Sequence, residues 1–268
     1  MVEWFFQSTP LWLILLLLFA AMVGACECGV RLRRRMRESG AAEAADKQAE
    51  NYVFSGMFGL LALLVAFTFG MALNRFDVRR DLVVQEANAL GTAYLRTAIL
   101  DDAGALRGMM RRYGQARLTF GLNGGAEGRA AEQRAEQLEP MIWAEAVRLI
   151  RPNRQTGTPL FVMGPINETF DAATARRTAL AARIPGDVLA TLVIYMVMSA
   201  ALLGSAVVKA RRGLRILTYA LFALFALAFG VILDLDEPRK GPIRVPQAAM
   251  AETVRMMSAA EPPPKAGP

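Results

Sequence analysis

Four stretches of this chain are uncharged and apolar for long enough to cross a lipid bilayer, and that restricts what it can fold into. The hydrocarbon core is about 30 Å thick and a helix rises about 1.5 Å per residue, so about 20 such residues suffice. Inside lipid every backbone polar group needs a partner within the protein, which leaves helices as the form these runs can take. The first run lies between Glu3 and Glu27, centred on LWLILLLLFAAMVGA, and the second between Glu50 and Arg75, centred on FGLLALLVAFTFGMAL. The third spans Val188 to Val208 and the fourth Ile216 to Leu233. The fourth is at the short end of the spanning range, which predicts that Asp234 and Asp236, just after it, sit near the headgroups. A hydrophobic content of 54% agrees with a polytopic membrane protein.

Absences narrow the chemistry. The chain has no histidine, which removes Ser/His/Asp and Cys/His nucleophilic machinery, histidine metal sites and the usual switch near neutral pH. Cys26 and Cys28, the two cysteines, cannot complete a four-ligand zinc site alone and read as small buried thiols at a helix end. VGAC looks like a lipoprotein cleavage site, but residues 1 to 10 hold no Lys or Arg and RLRRRMR follows the apolar run, the reverse of a signal peptide. GLNGGAEG lacks the Gly-Lys-Ser/Thr ending of a phosphate-binding loop and follows no strand, so it reads as a flexible linker. Asn167-Glu168-Thr169 fits a glycosylation sequon, which matters only in a glycosylating host. No nucleophile has an activating partner, so neither an enzyme, a metal site nor a cofactor is expected.

The formal charge of +7 stands largely in clusters beside spans, RLRRRMR (Arg31 to Arg37) and KARRGLR (Lys209 to Arg215). That placement marks orientation rather than nucleic-acid binding. Both clusters fall in connections on one side of a four-span protein, so the charge rule puts the termini and the long segment Arg75 to Asp187 outside. The expected layout is a first span and basic loop over 1–50, a second span over 51–74, a helical extramembrane domain over 75–187, the third and fourth spans over 188–233, and a strap with a disordered tail over 234–268. AEPPPKAGP in particular reads as disordered.

The extramembrane segment reads as all-α. NRFDVRRDLVVQEANALGTAYLRTAIL carries no proline and no glycine before Gly91, so the second span should continue into the domain as one helix. Further helices are predicted over Leu106 to Phe120, Ala130 to Ile150 and Ile166 to Arg183, with RPNRQTGTP as a loop. On the long helix Asn74, Asp77, Asp81, Gln85, Asn88 and Thr92 are spaced 3, 4, 4, 3 and 4, which places six polar side chains along one face.

That stripe admits two readings. Around an axis of identical helices it would form a hydrophilic vestibule, narrowed by Phe67 and Phe69, with Arg79, Arg80 and Arg96 raising the local anion concentration. Otherwise it is a solvated or inter-helix packing face. The acids of DLDEPRKG likewise read either as an ion site at the membrane face, with Arg239 or Lys240 as counter-charge, or as a helix exit in which Asp234 and Asp236 face headgroups or pair with Arg79 or Arg80. Small residues four apart, Ser55 and Gly59, Ala200 and Gly204, Ala201 and Ser205, Ala226 and Gly230, favour close helix packing.

FGLLALLVAFTFGMALNRFDVRRDLVVQEANALGTAYLR, INETFDAATARRTALAARIPGDVL and ILDLDEPRKGPIRV, in that order, resemble the bestrophin-like family of uncharacterised bacterial and plant membrane proteins. The resemblance runs from about Gly59 to Gln247, with EANALGTAYLR and ILDLDEPRKG its most specific pieces. Bestrophins are pentameric anion channels with a helical domain between spans two and three, a domain they keep in the cytoplasm. The resemblance therefore implies a homo-oligomer, with a pentamer as the family form, that passes small ions across a bacterial inner membrane. The alternative from another class is a membrane-anchored sensor or scaffold whose domain binds a partner protein without conduction.

Overall fold

The computed structural model describes residues 9–38, 44–153, 157–208, 212–239 and 241–259. Its α-helices are α1 (Leu11–Glu38), α2 (Ala44–Arg96), α3 (Gly104–Leu122), α4 (Gly125–Ile150), α5 (Thr158–Ala181), α6 (Gly186–Ala206), α7 (Arg212–Asp236) and α8 (Ala248–Ala259). No strand occurs among the described residues. Four of the helical stretches are long and apolar enough to span a bilayer, and the protein is an all-α integral membrane protein. The chain divides into two compact units, Met1–Asn74 with Arg183–Glu237, and Arg75–Ala182 with Pro238–Pro268.

In the first unit α1 packs along α6 and α7. Its buried residues Ile14, Leu18, Met22, Cys26 and Val30 recur every four positions, the spacing of one helical face. The backbones of α1 and α6 meet directly. A Cβ at Gly29 would overlap the Ala201 carbonyl oxygen, and one at Gly204 would overlap the Cys26 carbonyl oxygen. Lipid tails are as apolar as leucine, so this van der Waals fit between small residues is what brings the helices together. The pairs Ala200/Gly204 and Ala201/Ser205 lie at this crossing, and Gly230 of Ala226/Gly230 lies against Leu15. Among the described residues nothing lies within 4 Å of a Cβ placed on Gly59 of Ser55/Gly59.

At the membrane exit the structure corrects the expectation for the acids. α7 runs on to Asp236, and Asp234 and Asp236 are buried rather than headgroup-facing. The Asp236 carboxylate accepts the Ile184 backbone N–H at 3.1 Å, just ahead of α6, where Pro185 and Gly186 have no side chain to cap the helix. Arg183 donates to the Asp236 carbonyl and to the Glu237 carboxylate, the latter at 3.1 Å. Arg183 thus holds the end of α7 beside the start of α6.

The second unit is built around the extramembrane half of α2. Its core gathers Val83, Leu90 and Tyr94 of α2, Leu106, Met110 and Tyr113 of α3, Ile142 of α4 and Val162 and Ile166 of α5. α2 ends where Thr97 turns its hydroxyl onto the Tyr94 carbonyl at 2.6 Å, and Asp102 takes a positive φ of 57° before α3. The break between α3 and α4 is shorter than GLNGGAEG suggests. Only Asn123 and Gly124 are non-helical, and Gly125 already lies inside α4 at φ 63°, a conformation that costs glycine nothing.

α5 starts eight residues before the sequence predicts, at Thr158, because Pro159 is suited to a first turn and Pro165 is tolerated inside the helix. Proline has no N–H to bond the carbonyl four residues back, here that of Phe161, and Arg96 of α2 donates to that carbonyl at 3.1 Å. The largest difference concerns the C-terminal segment. Between the strap and the AEPPPKAGP tail, α8 forms a docked helix with Met250, Val254 and Met257 buried in the core. Tyr94 donates its hydroxyl to the Met257 carbonyl at 2.9 Å, and Gly91 and Gly114 present the surface against which α8 lies. The AEPPPKAGP tail lies outside the described residues, as does Lys240.

Candidate functional site: the exposed face of α2

α2 is one helix of 53 residues, so positions along it can be compared by helical rotation alone. Asn74, Asp81, Gln85, Asn88 and Thr92 are exposed and Asp77 is half-buried. Arg79, Val83, Glu86, Leu90 and Tyr94 are buried on the opposite side. Following the same face back from Asn74 in steps of three and four gives Gly70, Phe67, Leu63, Gly59 and Gly56, every one of them exposed. The face is polar at one end and apolar with three glycines at the other, and apart from the half-buried Asp77 the described residues leave it exposed. The apolar window of α2 is 17% buried, against 33% in each of the other three spans.

Phe67 lies on this face and is 67% exposed. Phe69, two residues on, is turned by about 200°, so the two phenylalanines cannot narrow the same axis, and only Phe67 extends the stripe.

The three arginines expected to attract anions each have partners within the chain. Arg79 is 1% exposed and donates to the carbonyls of Ala179 and Ala182, at 3.1 and 2.7 Å, satisfying the end of α5. Arg96 serves the carbonyl freed by Pro165 and stacks on the Phe161 ring, 4.5 Å from its centroid. Arg80 is half-exposed, 3.9 Å from Asp77 and 3.7 Å from Asp81. Beside the stripe, Gln85 and Ala89 of α2 and Glu168, Asp171, Ala172 and Ala175 of α5 enclose a groove of about 380 Å³. Asn167 donates to Asp171 at its rim, at 2.8 Å.

Behind the stripe is a buried ionic hub that sequence spacing does not reveal. Glu86 is 0% exposed, and its two carboxylate oxygens take Arg117 of α3 and Arg176 of α5, the second at 2.5 Å. Arg176 also donates to Gln247 of the strap at 2.7 Å, and Gln247 donates to the Val245 carbonyl at 2.9 Å. The guanidiniums of Arg239, Arg117 and Arg176 lie 4.1, 4.7 and 5.7 Å from the centroid of the Phe120 ring, whose negative face favours cations. Burial pulls Arg176 below the ordinary arginine range, while at Arg117 burial is outweighed by the charge and hydrogen bond of Glu86, leaving it raised. Both stay cationic, since arginine keeps its proton in proteins. The sequence signal was Glu86 itself, the one acid on the apolar side of α2 between Val83 and Leu90.

Among the described residues no three His, Cys, Asp or Glu side chains lie close enough to hold a metal ion. The stripe and the groove offer polar surface and Phe67 apolar surface.

Comparison with known proteins agrees with this architecture. No curated protein matches the chain. Among solved structures, a bacterial bestrophin homologue from Klebsiella pneumoniae matches with a TM-score of 0.68 at 14% identity, over 94% of this chain and 100% of the other. A single-substitution variant of a bacterial bestrophin homologue from the same organism matches at 0.65 and 14%, over 91% and 97%. At that identity the likeness is one of fold. The Bestrophin-like domain model matches residues 19–250, most of the sequence, and the chain therefore belongs to the bestrophin-like family.

Proposed function

We propose that the chain is the subunit of a homo-oligomeric pore for small ions, in which copies of α2 surround the conducting axis. The observation that carries this reading is the face from Gly56 to Thr92, exposed at every three-and-four step except the half-buried Asp77 along both the apolar and the polar part of one helix. A single chain leaves that face without a partner, and a ring of such helices would give it one, with Asn74, Asp77, Asp81, Gln85, Asn88 and Thr92 lining a vestibule and Phe67 a dewetting constriction. The pentameric anion channels of the wider bestrophin group support the assembly, and the absence of histidine from the sequence supports a non-enzymatic role. On the conducted ion, the charges along this face of the chain favour cations. Asp77, Asp81, Glu168 and Asp171 lie on or beside the face, against Arg80 and Arg96, so carboxylates outnumber guanidiniums and the vestibule should concentrate cations.

Current through a planar bilayer in asymmetric potassium chloride tests this. Discrete steps that reverse on the potassium side of zero are expected, and Asp81→Arg, which changes two charges in each subunit, should move the reversal toward chloride. Wild-type reversal at the chloride value would restore the anion reading. Silence from folded, inserted oligomers would leave the stripe as a partner-binding face, the sensor or scaffold alternative.

The clusters RLRRRMR and KARRGLR support placing their connections in the cytoplasm and the second unit outside. Glu127→Cys, in a chain with Cys26 and Cys28 replaced by serine, is then expected to react with an impermeant thiol reagent on intact cells. Reaction only after lysis would reverse the orientation.

A further inference from the structure

We infer that the antiparallel seam between α1 and α7 binds the phosphate of an anionic phospholipid. The inference rests on the chain spanning a bilayer and is independent of conduction. The Tyr219 hydroxyl donates to Glu27 at 2.7 Å, and Gly230 lies against Leu15. Stepping from Leu15 to Glu27 along α1 therefore runs against the direction of α7, from Gly230 back to Tyr219. One helical turn beyond the Tyr219–Glu27 bridge, in the same direction, stand Arg31 on α1 and Arg215 on α7. Arg31 is exposed and Arg215 half-buried, and Arg34 and Arg35, both exposed, follow one turn further along α1.

The sequence holds no acid from Gly29 to Arg37 or from Arg212 to Leu233; of the two acids that flank Arg31 on α1, Glu27 is hydrogen-bonded by Tyr219, and Glu38 stands seven residues beyond Arg31 at the end of the helix. Arg31 and Arg215 therefore flank the mouth of the seam one turn beyond a tyrosine–glutamate bridge, with Arg34 further along α1. Guanidinium forks match phosphate oxygens, and basic sites between membrane helices suit anionic headgroups.

Two further features select a lipid over a free anion. The mouth lies where the uncharged run of α7 begins, at Ile216, and where α1 emerges from its own apolar run, the depth of the lipid phosphates. Below it, Ile216, Leu217 and Leu224 of α7 are 62%, 66% and 63% exposed, and Leu16 and Leu17 of α1 are 56% and 50% exposed. These side chains give acyl tails an apolar track to follow.

The test is native mass spectrometry of the full-length protein equilibrated in mixed micelles of phosphatidylglycerol and phosphatidylethanolamine at equal mole fraction. The wild type should retain phosphatidylglycerol preferentially. Arg31→Gln combined with Arg215→Gln should cut that retention by about 25-fold, at roughly fivefold per arginine near a lipid surface. Glu27→Gln should raise it, an opposite sign that general damage to the fold would not produce, and Arg255→Gln, exposed on α8, should leave it unchanged. Equal retention of the two lipids, or arginine variants that behave as wild type, would overturn the inference. Displacement of the lipid by millimolar inorganic phosphate would also overturn it, by identifying a free anion as the ligand.

Discussion

Glu86→Gln is expected to destabilise the second unit by about 3–5 kcal/mol, the usual cost of leaving buried charge without its partner. Glu86, Arg117 and Arg176 are all 2% exposed or less, so none can recover its lost pairing from water. Glutamine keeps the shape and one acceptor but turns its NH2 toward a guanidinium, setting donor against donor where the second ion pair had been. A domain of this size has about 5–15 kcal/mol of stability in total, so the loss should show as a large drop in the thermal midpoint of the detergent-solubilised protein. The companion variant Glu86→Leu, Arg117→Met, Arg176→Met removes all three charges together and is expected to fall within about 1–2 kcal/mol of wild type, since replacing a whole buried ionic group by apolar side chains is often neutral or better. A Glu86→Gln protein as stable as wild type would mean that Glu86 does not compensate the two arginines.

Gly29→Ala and Gly204→Ala are the second pair of large effects, each expected to cost about 3 kcal/mol or more. In both cases the added methyl meets a backbone carbonyl of the facing helix rather than the flexible end of a side chain, and rigid backbone cannot yield without separating α1 from α6. Gly24→Ala, in the same helix with nothing within 4 Å of its would-be Cβ, should be neutral or stabilising by up to about 1 kcal/mol through helix propensity. Thermal unfolding of the three variants side by side separates the crossing from any general intolerance of α1. Similar midpoints for Gly24→Ala and Gly29→Ala would count against the close approach.

What the sequence makes legible here is what one helix can say about itself. The 3, 4, 4, 3, 4 spacing of the stripe and the missing proline give the long helix and its polar face, because periodicity needs no partner. Arg79 and Arg96 sit on that same helix, but their partners, backbone carbonyls 100 and 65 residues away, are not legible from it. No spacing rule encodes such a distance, although Pro165 does announce that some donor must reach the Phe161 carbonyl. Glu86 is illegible for the related reason that an acid on an apolar face acquires meaning only from Arg117 and Arg176. α8 was hidden by its setting: Met250, Val254 and Met257 carry the right spacing, but a helix of 12 residues between proline-rich segments has little independent stability and depends on the groove that receives it.

The docking of α8 also bears on the order in which the protein can be made. A chain is synthesised from its N-terminus, and the second unit is assembled from two pieces, Arg75–Ala182 and Pro238–Pro268. Between them come α6 and α7, which have to enter the membrane. While those helices insert, the extramembrane core waits with the sites for Met250, Val254 and Met257 empty, the Tyr94 hydroxyl without the Met257 carbonyl and Arg176 without Gln247. Completion of this domain therefore reports that the spans before it have been made, and a chain cut short before α8 would expose an unfinished apolar surface to the quality-control machinery of the cell.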